Sequence, residues 1–288
     1  ATMAFNNSWS PSSRELERRA TRARISKRQI SIAAISSIIV IGALLIAAIT
    51  SPGWEVVRKT FFDVDYGKEV LPTVIKGLWL NLKLTVIGSI CIGIIALSLA
   101  ILRTTKSAAL TPFRFLAAAY TDIFRGVPLL LVILLVGFGV PALQLRAITS
   151  NVTILGSVAV ILTYSAYVSE VIRSGILSIH PSQKAAARSL GLSSAQTMQF
   201  VVLPQALRRV IPPLLNDFVS LLKDTGLVSI LGVIDAIRAA QINSSRTFNY
   251  TPYVVAAILF LLITIPLTRY TDKAIRGSYS RQSAEGTI

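Results

Sequence analysis

The sequence predicts an all-α, polytopic integral membrane protein with six transmembrane helices. Three observations carry that prediction. Hydrophobic residues make up 53% of the 288, and the mean hydropathy is +0.65, well above the range of soluble domains. Apolar runs recur at lengths that cross a hydrocarbon core of about 30 Å at about 1.5 Å per helical residue. Lysines and arginines crowd alternate connecting segments, which fixes an orientation.

Residues 1–29 read as a basic cytoplasmic tail carrying Arg14, Arg18, Arg19, Arg22, Arg24, Lys27 and Arg28. The stretch Ser13 to Arg19 can form a surface helix; otherwise the tail is expected to be disordered. Residues 30–50 are a 21-residue uncharged apolar run and the first span. The long basic start, and no clear small-residue cleavage site after that run, argue against a cleavable signal peptide. Residues 51–76 are mixed in charge, and Trp54, Phe61, Phe62, Tyr66 and, just beyond them, Trp79 suit a membrane interface. The second span is 77–102, with Lys83 near its start and Gly88 and Gly93 open to close helix packing.

Arg103, Lys106 and Arg114 make a short basic loop. Residues 113–139 are long for one span, so their first part is expected along the interface before Gly126 and Pro128 bend the chain. A short loop at 141–151 leads to a fourth span at 154–172. The polar segment that follows is taken up below. The fifth span is 211–234, residues 235–251 are polar and partly helical, and the sixth span is 253–268. The tail from 269 is basic again. With a cytoplasmic N-terminus, the inside segments hold 19 Lys and Arg and the outside segments 7. Both termini and the polar loop at His180 then lie in the cytoplasm. The same asymmetry accounts for the net charge of +16 without nucleic acid.

Ionisable residues inside spans cost about 2.5–3.5 kcal/mol each on insertion scales, so they face the protein interior or a wet path. Three groups stand out. Asp122 and Arg125 precede Pro128. Tyr164, Tyr167, Glu170 and Arg173 lie on the fourth span. Asn216, Ser220, Lys223 and Asp224, followed by Thr225, recur at helical spacing on the fifth. A free amino acid carries an ammonium, which Glu170 or Asp224 can match, and a carboxylate, which Arg125 or Lys223 can match. The competing reading pairs Asp122 with Arg125 and Glu170 with Arg173.

The segment His180 to Leu231 organises the chain. Ala185, Ala186 and Ala187 are small and strongly helical, and Gly191 can end their helix in a left-handed cap. Ser193 and Gln196 have capping-box spacing and restart a helix, which Pro204 is expected to break. Two capped helices of this kind suit the docking of another protein.

This segment resembles the EAA loop of permease subunits of bacterial ABC importers, in the branch for polar amino acids such as histidine, glutamine, arginine and glutamate. The residues that match are Ala186-Ala187, Gly191, Leu203-Pro204-Gln205-Ala206-Leu207-Arg208, Pro212-Pro213, Asn216 and Leu221-Leu222-Lys223-Asp224-Thr225. One departs: Ala185 stands where the family has Glu. The resemblance runs from about Val70 to Arg276. It implies the type I importer (MetI-like) permease fold over 70–276, with a cytoplasmic coupling loop at 176–209 and a C-terminal tail at 277–288. Family members often have five spans, so 30–50 reads as an additional N-terminal anchor.

The resemblance further implies that Lys184, Ala185, Ala186, Ala187, Arg188, Leu190 and Gly191 dock a cytoplasmic ABC ATPase dimer. It implies a second permease subunit, an extracytoplasmic solute-binding protein, a bacterial plasma membrane and its lipid as surroundings. Ala185 suggests a heterodimer whose other permease keeps the Glu. The Tyr164–Arg173 run also matches the family and strengthens Glu170 as a path residue.

The chain has no Gly-rich loop ending in Lys-Ser or Lys-Thr, one His and one Cys, so it offers no ATP cradle, no metal centre and no Ser/His/Asp set. No cofactor is expected in this chain; ATP and Mg belong to the partner ATPase. The expected function is permease of an importer for polar amino acids, leaning to glutamate or glutamine because Arg125 and Lys223 lie in the candidate path. The alternative is an ion-gradient-driven secondary amino-acid transporter, which needs inverted repeats that are not visible here. A membrane scaffold has no reason to bear the cost of the polar stripe.

Overall fold

The computed structural model describes residues 12–105, 107–145 and 148–285. The part of the basic tail before Ser12 lies outside the described residues. The chain divides into two compact units, Ala1–Lys59 and Thr60–Ile288. In the first, α1 (Ser13–Ile49) is a single 37-residue helix capped by the Ser12 hydroxyl, which accepts from Glu15 N. A separate tail and span were expected at residue 30. No Gly or Pro interrupts the chain from 13 to 41, so the helix runs unbroken through that boundary. Its segment Gln29–Ile49 is long and apolar enough to cross a membrane.

The division between the units falls inside α2 (Trp54–Phe61), and the second unit is built on α3 (Val64–Thr104), capped by the Asp63 carboxylate, which accepts from Tyr66 N at 3.1 Å. This cap starts the helix well before residue 77, where the apolar run alone placed it. α4 (Thr111–Gly126) and α5 (Leu129–Ala142) meet at 106° across Val127 and Pro128, as the proline requires. α6 (Val152–Leu177), capped by Asn151, packs against α3, α5 and the later α9. Lipid gives helices no hydrophobic drive to associate, so close van der Waals contact must do so. Ala96, Ala100 and Ala159 are fully buried in that core, and Gly175 lies where a β-carbon would meet Val210 and the Ala206 carbonyl.

α7 (Pro181–Ser189) and the single turn α8 (Ser194–Gln196) form the polar loop. The chain then passes through a π-helical turn, Thr197–Val202, into α9 (Leu203–Asp224). Pro204 therefore does not break the helix. It falls in the first turn of α9, where its missing N–H is least costly, and the looser π register absorbs the ring. The fifth span also differs from its expected form. α9 ends at Asp224, and residues Thr225–Leu231 tighten into a 3₁₀ segment that Gly232 stops at φ +89°. α10 (Ala236–Thr247) packs on α3, and α11 (Thr251–Glu285) is one helix containing the expected sixth span.

Four helices among the described residues are long and apolar enough to cross a membrane, and the bent pair α4–α5 makes a fifth. The count of six is thus not reached, because α9 is strongly amphipathic and carries Arg208, Arg209, Asp217, Lys223 and Asp224.

Candidate functional site

α3, α6 and α9 line a half-open cavity of about 240 Å³. Its wall is mostly apolar, from Ile92, Leu97, Val168 and Phe218 among others, with Ser89, Tyr164 and Asp217 as polar exceptions. One Asp217 carboxylate oxygen is buried and has no hydrogen-bond partner in the protein. Beside it the Tyr164 hydroxyl donates to Asp224 Oδ2 at 2.6 Å. A mostly apolar pocket with few convergent polar groups is the form small-solute sites take. A carboxylate in that setting favours an ammonium or another strong donor.

The polar stripe read from α9 divides into two faces. Residues 214, 217 and 221 follow one face into the cavity, and Asp224 continues it to Tyr164. Asn216 and Lys223 are exposed and Ser220 is half-buried on the neighbouring face. Asp217 was missed in the sequence because the stripe was anchored on Asn216, one residue away. Its spacing of seven from Asp224 was the available signal.

The other candidates sit elsewhere. Glu170 accepts from Arg103 Nη1 at 2.8 Å and from Arg173 Nε at 2.8 Å, with Arg173 Nη2 closing a second contact. The expected pairing with Arg173 is present and is extended across to the end of α3. Tyr167 OH donates to the Arg125 carbonyl at 3.2 Å, and the Arg125 guanidinium lies 5.9 Å from the Tyr167 ring centre. Neither residue lines the cavity, and no ion pair joins Asp122 to Arg125 among the described residues. Thr225 is buried and accepts from Asn81 Nδ2 at 3.3 Å. Asn81 also donates to Asp235 Oδ2 at 3.0 Å and accepts from Ala236 N at 3.2 Å. Asp235 caps α10 through Arg238 N at 2.8 Å. Burial pushes the Asp235 carboxyl up, against these donors, which pull it down. Asn81 and Asp235 stand 154 residues apart, beyond the reach of any local pattern.

The polar loop follows its sequence closely. His180 caps α7 by accepting from Ser182 N at 3.2 Å, and Pro181 occupies the first turn. Gly191 takes φ +86°, and Ser193 with Gln196 closes a capping box. Ala187 is buried, whereas Lys184 is half-buried and Ala185, Ala186, Arg188 and Gly191 face outward. Leu190 at the tip is 84% exposed. Arg209 Nη1 donates to the Ser178 carbonyl at 2.7 Å, which ties α9 to the end of α6 beside this loop.

Residues 107–273 match the family described as "binding-protein-dependent transport system inner membrane component". The chain is 35% identical over 216 residues to the arginine transport system permease protein ArtQ of Bacillus subtilis (strain 168), covering 74% of this chain and 96% of that one. It is 37% identical over 193 residues to the putative glutamine transport system permease protein GlnP of Rickettsia prowazekii (strain Madrid E), covering 67% and 86%. Among solved structures, an amino acid ABC transporter crystallised with histidines superposes with a TM-score of 0.63 at 32% identity, over 71% of this chain and 94% of that one. The inward-facing MetNI methionine ABC transporter shares the fold, with a TM-score of 0.55 at 18% identity over 71% and 95%.

Proposed function

We propose that this chain, which belongs to the family of binding-protein-dependent transport system inner membrane components, is the translocation subunit of an ATP-driven importer of polar amino acids. The observation that carries the reading is the cavity among α3, α6 and α9, with the Asp217 carboxylate in a mostly apolar wall. An amino acid's ammonium matches the charge of that carboxylate, and its side chain meets the apolar wall.

The cavity's charge is acidic, and neither Arg125 nor Lys223 lines it. That moves the reading from glutamate toward a polar amino acid with an amide or cationic side chain. α7 and the exposed Leu190 form the docking surface for a cytoplasmic ATPase dimer, which binds the ATP and Mg. α9 carries its closure to the cavity, because it continues from that loop through the π turn and Arg209 ties it to α6. With α9 and its 3₁₀ continuation as the sixth crossing, both termini lie on the ATPase side of a bacterial plasma membrane. A second permease completes the path, and Ala185 in place of an acid favours a non-identical one. A functional complex of two copies of this chain with its ATPase would remove that heterodimer.

The test is reconstitution in proteoliposomes with ATPase and binding protein, following labelled glutamine, arginine and glutamate. ATP-dependent uptake of glutamine or arginine in preference to glutamate is expected. Uptake that follows an ion gradient with no ATPase present overturns the reading.

A further inference from the structure

The bundle has a second prepared surface, at the end opposite α7. Arg103 at the end of α3 meets Glu170 near the end of α6, so the start of α3 lies at the far end of the second unit, about 60 Å away along a 41-residue helix. There the α10–α11 connection is bound to the start of α3. Tyr250 N donates to the Thr60 carbonyl at 2.6 Å, Asn249 Nδ2 to Asp63 Oδ2 at 3.1 Å, and Asp63 N to Thr251 Oγ1 at 3.1 Å. Phe61 stacks on Tyr250 at 5.1 Å between ring centres.

These contacts hold Phe248 in an unfavourable state. It closes α10 at φ 53°, ψ 24°, a left-handed cap that Gly or Asn normally fills. A Cβ makes that conformation costly, and burial does not offset the cost, because Phe248 is 76% exposed. Phe62, in the link between α2 and α3, is 54% exposed, and Tyr250, in the α10–α11 connection, 41%. Strain that packing does not explain points to use by a partner.

We propose that Phe248 is the anchor by which the extracytoplasmic binding protein docks on this permease. This rests on the importer reading above, whose family description names a binding protein. A rigidly held, exposed aromatic loses little freedom on association and fills an apolar pocket in a folded partner. Lipid is the less suitable occupant. The roughly 60 Å of α3 between Arg103 and this connection exceeds the about 40–45 Å of a bilayer with its headgroups, which sets Phe248 beyond the lipid.

The experiment uses the permease–ATPase complex in nanodiscs, with ATPase activity titrated against purified binding protein. Phe248→Gly relieves the strain and Phe248→Ala keeps a Cβ. Both are expected to raise the half-saturating binding-protein concentration at least tenfold with unchanged basal activity. Phe248→Gly is also expected to melt no lower than wild type, a result that a structural role for the ring would not give. A wild-type complex stimulated by the binding protein and variants with the same half-saturation overturn this docking inference alone. A wild-type complex that binding protein never stimulates overturns the importer reading with it. If the two variants differ from wild type only in nanodiscs of altered lipid, the ring serves the membrane and the inference fails.

Discussion

Asp217→Asn separates a functional carboxylate from a structural one. In the wild type, one carboxylate oxygen is buried without a partner, and such a group costs about 1–3 kcal/mol. The side chain as a whole is half-buried, which places the cost at the low end, about 1 kcal/mol. The amide removes the charge at constant shape, and its NH₂ can turn to the cavity side. Thermal stability of the purified complex should therefore hold or rise, by about 2–4 °C for a unit of this size. ATP-driven uptake should fall at least tenfold, because the ammonium loses its charged partner. The assay pairs melting of the detergent-solubilised complex with labelled amino-acid uptake in proteoliposomes. Uptake within twofold of wild type, together with a lower melting temperature, would refute the reasoning and make Asp217 a packing residue.

Four further outcomes follow from the same geometry. Gly77→Ala places a β-carbon 2.5 Å from Ala236 N and from the Asp235 carbonyl oxygen; backbone cannot move aside, so a loss of about 1–3 kcal/mol or more is expected, read as lower yield and melting temperature. Glu170→Gln strands Arg103 and Arg173, which are 15% and 29% exposed at their side chains; stability should drop by about 1–3 kcal/mol and be partly restored by adding Arg103→Gln. Tyr164→Phe removes the donor to Asp224 and should cost about 1–2 kcal/mol by thermal melting, with uptake reduced. Leu190→Asp puts a charge on the exposed tip of the loop after α7 and should abolish co-purification of the ATPase while leaving the permease's own melting unchanged.

Much of this architecture was legible because it depends on local chemistry. The bend at Pro128, the left-handed Gly191 and the Ser193–Gln196 capping box each need only residues within one turn. Elements whose form depends on distant partners were not. Pro204 reads as a breaker until the π turn before it is seen. Glu170 pairs with Arg173 within its own helix, whereas Arg103 reaches it from α3, 67 residues away. The Asn81–Asp235 clamp joins segments that share no pattern. Asp217 was hidden by its neighbour: helical spacing identifies a stripe, but only the packing of α3 and α6 decides which of two adjacent faces is enclosed.

The central claim is that the cavity among α3, α6 and α9 is a wet solute path. Ser89 lines it, and Cys91 is the only native thiol. In a Cys91→Ser background, Ser89→Cys gives a near-isosteric reporter, to be labelled with a membrane-impermeant thiol reagent in proteoliposomes containing the full complex. The account predicts that the thiol reacts from the aqueous phase, and that transported amino acid with ATP and binding protein slows the reaction several-fold. A thiol that never reacts, or reacts at a rate indifferent to the amino acid, would contradict it.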